Sequence, residues 1–205
     1  MKYICLFCHI GINVYLCTLI PFNMQIINTP IEGLLIVEPD VFGDQRGFFS
    51  ETYNEERYVN SGITARFVQD NISSSKYGVV RGLHFQRPPY TQAKLVQCIV
   101  GKVLDVAVDL RSGSKTFGQW FGVELSAENH RQFFIPKGFA HGFSVLSEMA
   151  LFNYKCDNPY NPQAEGGLLL FDKDINIDWQ IPADKMILSE KDKHHPLLKE
   201  FDNCF

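Results

Sequence analysis

The run Arg81-Gly82-Leu83-His84-Phe85-Gln86, with Lys94 and Asp105 downstream, is the densest cluster of reactive side chains in the sequence. An arginine and a histidine inside a stretch rich in Leu and Phe need polar partners if they are buried. Two readings are open: a surface Arg with a core His bonded to a carbonyl, or a pocket that holds both. Strict strand alternation puts Arg81 and His84 on opposite faces, so the pocket reading requires a bend or bulge near Gly82. Joined by His141 and Tyr154, the set suits proton abstraction beside a carbonyl. A neutral histidine can take the α-proton, a cation such as Lys94 can stabilise the enolate oxygen, and a tyrosine hydroxyl can return a proton from the opposite face. Acid and base on opposite faces invert the carbon. A lysine alone in a pocket loses its charge, and Asp105 is the acid available to hold it. Tyr154, within Asn153-Tyr154-Lys155, reads equally well as part of an ordinary strand.

The segment Pro136-Lys137-Gly138-Phe139-Ala140-His141 resembles the second motif of cupin barrels. Many cupins bind a metal through this histidine plus a His-x-His and a carboxylate in a first motif. Here Phe85 and Gln86 follow His84, so the first motif is missing. Two separated histidines without the carboxylate make a poor divalent site. The expectation is a cupin-like barrel whose pocket uses no metal and no cofactor. His194-His195, beside Pro196, is read as surface.

Short apolar or alternating runs must position these groups. They cover residues 34–37, 47–53, 65–71, 79–85, 95–110, 120–125, 132–135, 143–146, 151–156 and 167–171, separated by Gly, Pro, Asn, Asp and Ser. Such spacing predicts an all-β fold, a jelly-roll barrel able to hold a ligand. Leu104, Val106, Val108 and Leu110 alternate with Asp105, Ala107 and Asp109, giving one apolar face and one face with carboxylates. Gly101 marks a turn within its run. Residues 54–61 form one short helix, capped by Asn54 with acids in its first turn. The tail beyond Pro182 is helical or irregular.

From Met24 onward the chain resembles the dTDP-4-dehydrorhamnose 3,5-epimerase family, cupin-fold enzymes that act on nucleotide sugars. The resemblance is carried by Val41-Phe42-Gly43-Asp44-Gln45-Arg46-Gly47-Phe48-Phe49, Phe67-Val68-Gln69-Asp70-Asn71, residues 81–86, Lys94-Leu95-Val96, Thr116-Phe117-Gly118-Gln119-Trp120, Leu125-Ser126-Ala127-Glu128-Asn129 and residues 136–143. It implies a homodimeric cytoplasmic enzyme of dTDP-rhamnose biosynthesis that inverts C3 and C5 of a dTDP-4-keto sugar. By the same resemblance His84 is the base, Asp192 the carboxylate that orients it, Tyr154 the proton donor, and Lys94 the enolate-stabilising cation with Asp105 beside it. Arg46, Glu51, Gln69, Asn71, Arg81, His141, Glu165 and Lys191 match positions that bind nucleotide, diphosphate or sugar. Phe42 matches an aromatic near the base, and the Arg46 region can reach a partner's site. Relatives that invert one carbon, or move the ketone between C3 and C4, share most of this pocket. A metal-dependent cupin and a non-catalytic sugar-binding module are the other classes, and the missing His-x-His speaks against the first.

Composition agrees with one globular domain. The chain has 205 residues, 45% hydrophobic and 20% charged, with 17 Phe and 8 Tyr. A net charge of −4 argues against nucleic acid as a partner. It leaves room for a local basic pocket that takes one diphosphate. Residues 1–23 are mostly apolar, with Lys2 and no acid; a leader, a membrane anchor and a start at Met24 compete there. His9, Gly11, Asn13 and Pro21 interrupt the anchor, and no small-residue cleavage site follows residues 16–20. Cys5-Leu6-Phe7-Cys8-His9 matches a haem-attachment spacing, read as coincidence. Cys98, Cys156 and Cys204 lack disulfide-like spacing, which fits a reducing compartment.

Overall fold

The computed structural model describes residues 23–205. The apolar leader, its cysteines and the haem-like spacing lie outside the described residues. Thirteen strands run in chain order: β1 Gln25–Asn28, β2 Leu35–Glu38, β3 Phe42–Asp44, β4 Gly47–Phe49, β5 Gln69–Lys76, β6 Val80–Gln86, β7 Lys94–Val100, β8 Lys102–Asp109, β9 Trp120–Ser126, β10 Gln132–Ile135, β11 Phe139–Val145, β12 Met149–Cys156 and β13 Glu165–Gly167. Two antiparallel sheets face one another, a cupin-type jelly roll. One has the order β1-β2-β10-β7-β12-β5 and the other β13-β6-β11-β8-β9. A separate hairpin pairs β3 with β4.

Three hydrophobic layers follow from the alternation. Between the sheets, Val96, Cys98, Val103, Ala107, Phe133, Phe143 and Phe152 fill the barrel. The Phe143 and Phe152 rings stack with centroids 4.5 Å apart, and full burial of such a ring contributes roughly 1.5–3 kcal/mol. Outside the smaller sheet, Leu104, Val106, Val108 and Leu110 pack under Leu168, Leu170, Trp179 and Phe201 of the C-terminal segment. Outside the larger sheet, Tyr58, Ile63 and Leu95 form a third cluster.

The double cover changes the meaning of the β8 pattern. Both of its faces are buried, and Asp105 and Asp109 have no solvent exposure. The carboxylates mark the barrel interior and its rim, because the C-terminal segment occupies the face that alternation alone assigns to the core.

The single helix α1, Glu55–Asn60, is capped as its sequence predicts: Asn54 Oδ1 accepts from the Arg57 amide at 3.2 Å. Tyr58 ties it to the barrel by donating to Gln132 Oε1 at 2.6 Å. The tail after Pro182 contains only single 3-10 turns, at Ala183–Lys185, Lys191–Lys193 and Leu198–Glu200. Other boundaries move for identifiable reasons. The strand expected over residues 65–71 begins at Gln69 and runs through Ser73, Ser74 and Ser75, a polar stretch that an edge strand tolerates. The run 167–171 leaves the sheet after Gly167, and Leu168 and Leu170 plug the outer layer. The strand placed at 143–146 starts at Phe139 and so takes in His141.

The bulge required near Gly82 is present. His141 pairs with His84 and Phe143 with Arg81, so one residue between partners on β11 faces two on β6. Gly82 has φ +129°, and an added Cβ would stand 2.6 Å from Gly142 Cα and 2.9 Å from His141 O. The bulge changes the strand's phase between Arg81 and His84, and both side chains reach one cavity. Gly82→Ala is expected to lower stability by about 1–3 kcal/mol from the backbone conformation alone, read as a fall in the urea midpoint at unchanged slope.

Candidate active site

Two adjoining cavities of about 350 and 150 Å³ open between the sheets. His84, Lys94 and Tyr154 line both. Each arrives on a different strand: His84 on β6, Lys94 on the inward face of β7 ahead of Val96 and Cys98, and Tyr154 on β12 between Phe152 and Cys156. On the other face of β12, Asn153 and Lys155 bond to Asp70 at 2.9 and 2.6 Å. Tyr154 is thus both strand residue and cavity residue.

His84 Nε2 stands 2.7 Å from Asp192 Oδ1. Asp192 is held by a 3-10 turn of the tail, where its amide donates to Ser189 Oγ at 3.2 Å. Burial pushes the Asp192 carboxyl up, but the His84 hydrogen bond and charge outweigh it, and the carboxyl stays below its ordinary range. With Asp192 accepting the hydrogen on Nε2, a neutral His84 carries its lone pair on Nδ1.

Beside His84 across the strand pair, His141 Nε2 meets both Asp105 oxygens at 3.0 and 2.9 Å. Burial disfavours charge on both, pushing the Asp105 carboxyl up and the His141 imidazole down. This corrects the expected partnership: Asp105 bonds to His141, while Lys94 makes no hydrogen bond or ion pair among the described residues. Lys94 feels Asp105 and Glu165 only through space. Burial lowers its pKa below the ordinary 10.5, and burial likewise raises the Tyr154 hydroxyl above 10.0.

Gln69, Asn71 and Glu165 line the larger cavity, and Arg81 and His141 the smaller. Arg81 donates to Ser75 Oγ at 3.1 Å. Lys191 is ion-paired with Glu165, and burial's upward push on that carboxyl is outweighed by Lys191 and by Tyr160 at 2.9 Å. Phe42, Arg46 and Glu51 line neither cavity. Arg46 pairs with Asp44 on an exposed hairpin, and Glu51 bonds Arg57 at 2.7 Å beside α1.

Sequence reasoning did not assign five residues that line the larger cavity, Phe85, Gln86, Gln92, Cys156 and Tyr160, and misplaced one histidine. His194 is exposed as expected. His195 is not surface: its side chain is 11% exposed, and its ring sits edge-on to His84 at 5.7 Å. A Cβ on Gly167 would fall 2.6 Å from the His195 ring, so the Gly166-Gly167 pair was the available signal for a close neighbour.

A jelly-roll barrel with a histidine–carboxylate pair, a half-buried lysine and a tyrosine opening on one cavity defines a cupin-type enzyme of acid–base chemistry. Residues 28–200 match the family model for dTDP-4-dehydrorhamnose 3,5-epimerase. The curated enzyme of that name from Shigella flexneri is 55% identical over 170 residues, covering 82% of this chain and 93% of its own. That from Methanothermobacter thermautotrophicus is 51% identical over 179 residues, covering 87% and 96%. The crystal structure of dTDP-6-deoxy-D-glucose-3,5-epimerase from Legionella pneumophila, in complex with dTDP-4-keto-L-rhamnose, superposes with a TM-score of 0.85 at 54% identity over 88% of this chain and 95% of that one. The chain belongs to the dTDP-4-dehydrorhamnose 3,5-epimerase family, and it is an isomerase.

Burial moves Lys94 and Tyr154 in opposite directions, favouring the neutral form of each. NMR of protein carrying ¹³C at lysine Cε and tyrosine Cζ is expected to find Lys94 losing its proton below pH 10.5 and Tyr154 still protonated above pH 10.0. Lys94→Met and Tyr154→Phe assign the two signals.

Proposed function

We propose that this chain converts dTDP-4-dehydro-6-deoxy-D-glucose to dTDP-4-dehydro-L-rhamnose, inverting C3 and C5 by proton transfer alone, in dTDP-L-rhamnose biosynthesis. The observation that carries this reading is the 2.7 Å His84–Asp192 contact, opening on the same cavity as Lys94 and Tyr154. C3 and C5 both flank the C4 ketone, which acidifies their hydrogens. His84 Nδ1 removes the α-proton; the C–H electron pair moves into the ring and leaves an enolate oxygen at C4. Lys94, unencumbered by a hydrogen bond, places its ammonium charge toward that oxygen. The Tyr154 hydroxyl gives its proton to the opposite face of the carbon and is left as phenolate. Asp192 keeps the His84 ring oriented and stabilises the imidazolium. His141 and Asp105 wall the cavity behind these groups.

Gln69, Asn71 and Glu165 bind nucleotide or sugar in this proposal, and Arg81 and Lys191 bind the diphosphate. The acting species is a homodimer. The β3–β4 hairpin exposes Phe48 by 64%, and Val68 and Ile72 are exposed on β5 and beside it; an apolar surface of this kind favours association. Phe42, Arg46 and Glu51 then serve a partner's cavity. Residues 24–205 act as a single catalytic domain. A cytoplasmic setting is supported by Cys98, Cys156 and Cys204, which are free thiols. Among the described residues no helix is long and apolar enough to cross a membrane.

Turnover in deuterated water is expected to place two deuterium atoms in each product sugar, at C3 and C5; a single deuterium would sink the double inversion. His84→Asn loses exchange and inversion together, by about 10²–10⁴-fold or more, and Tyr154→Phe loses inversion by a similar factor while exchange into recovered substrate persists. Phe48→Glu is expected to sediment as a monomer with little activity. A fully active monomer would exclude a shared site.

A further inference from the structure

His195 has no part in the proton transfers above, yet it is buried against the base. Its Nε2 is solvent-inaccessible and has no hydrogen-bond partner, an unusual state for a buried ring nitrogen. It lies 3.7 Å from Asp192 Oδ1, the same oxygen that meets His84 Nε2 at 2.7 Å. All three ligand atoms, two imidazole nitrogens and one carboxylate oxygen, fall within 4.8 Å of one another. A tetrahedral zinc ion with bonds of about 2.0–2.2 Å needs ligand atoms about 3.3–3.6 Å apart. The two spacings from Asp192 Oδ1, 2.7 and 3.7 Å, straddle that requirement, and the two imidazole nitrogens lie within 4.8 Å of one another.

We propose that His84, Asp192 and His195 form a divalent-metal site with a preference for zinc, and that the metal inhibits the enzyme by occupying its base. The site differs from a cupin metal centre, which draws on the His141 position; here His141 is committed to Asp105. The fourth coordination position faces the cavity, through which the ion enters, because the His84 side chain is 32% exposed and lines it. Of the charged groups nearby, Glu165 is already neutralised by Lys191, leaving the Asp192 carboxylate to balance the ion. Zinc bound at His84 Nε2 confines the remaining ring hydrogen to Nδ1. That nitrogen is the one assigned above to take the α-proton, and it can then accept nothing. This inhibitory half rests on the assignment of His84 as base; the site itself does not.

Cobalt(II) titration of the chelator-treated full-length protein, followed by its visible d–d absorption, reads the site without reference to activity. The wild type is expected to develop bands that zinc bleaches, and His195→Gln to lose them. His195→Asn is the second variant should the first fail to fold. Without added metal the variant turns over as the wild type does, and it needs at least about tenfold more zinc for half-inhibition. Identical cobalt spectra in wild type and variant, or none in either, overturn the site. Bands that depend on His195, with turnover indifferent to zinc, overturn the inhibition and with it the role of His84 as base.

Discussion

The site depends on one hydrogen bond, between Asp192 on the C-terminal tail and His84 on β6. It joins residues 108 positions apart and couples two otherwise separate structural features. On one side is the β6 bulge, which rotates His84 into the cavity. On the other is a tail whose only regular elements are isolated 3-10 turns, held in place by burying Leu168, Leu170, Trp179 and Phe201 on the smaller sheet. The packing of that tail is therefore a condition of how the His84 ring is held. A loosened outer layer would leave the barrel intact and the histidine unguided.

Behind this pair the barrel keeps charged groups where hydrocarbon would pack more favourably. Asp105 and His141 are buried and Lys94 is half-buried, and burial opposes charge on each of them. Asp105 and His141 satisfy one another by hydrogen bonds. Lys94 does not share in them and lines both cavities. A lysine held there without a hydrogen-bond partner costs stability in the free protein.

How much was legible in the sequence varied by residue. Turn residues and period-two patterns located most strands, the Asn54 cap and the jelly roll, because pleating and turn chemistry act over a few residues. The motifs around His84, Lys94 and His141 placed the reactive groups by resemblance. The conflict between Arg81 and His84 under strict alternation pointed to a bulge, since a two-residue period admits no other way to bring them to one cavity. The pairing of Asp105 with His141 rather than Lys94 was not legible: three strands, β7, β8 and β11, set those distances. His195 was lost because an adjacent pair of histidines before a proline carries no periodicity, and only the tail's path over Gly167 decides which one turns inward.

The sequence by itself determined what is local: which segments are strands, where they turn, and which residue types carry the chemistry. Tertiary structure alone decided which carboxylate serves which histidine, which faces of β8 are buried, and that a tail histidine sits against His84. Local preferences act through neighbouring backbone and side chains. Those pairings depend on closing long loops and covering a sheet on both sides, and no short window of sequence contains that information.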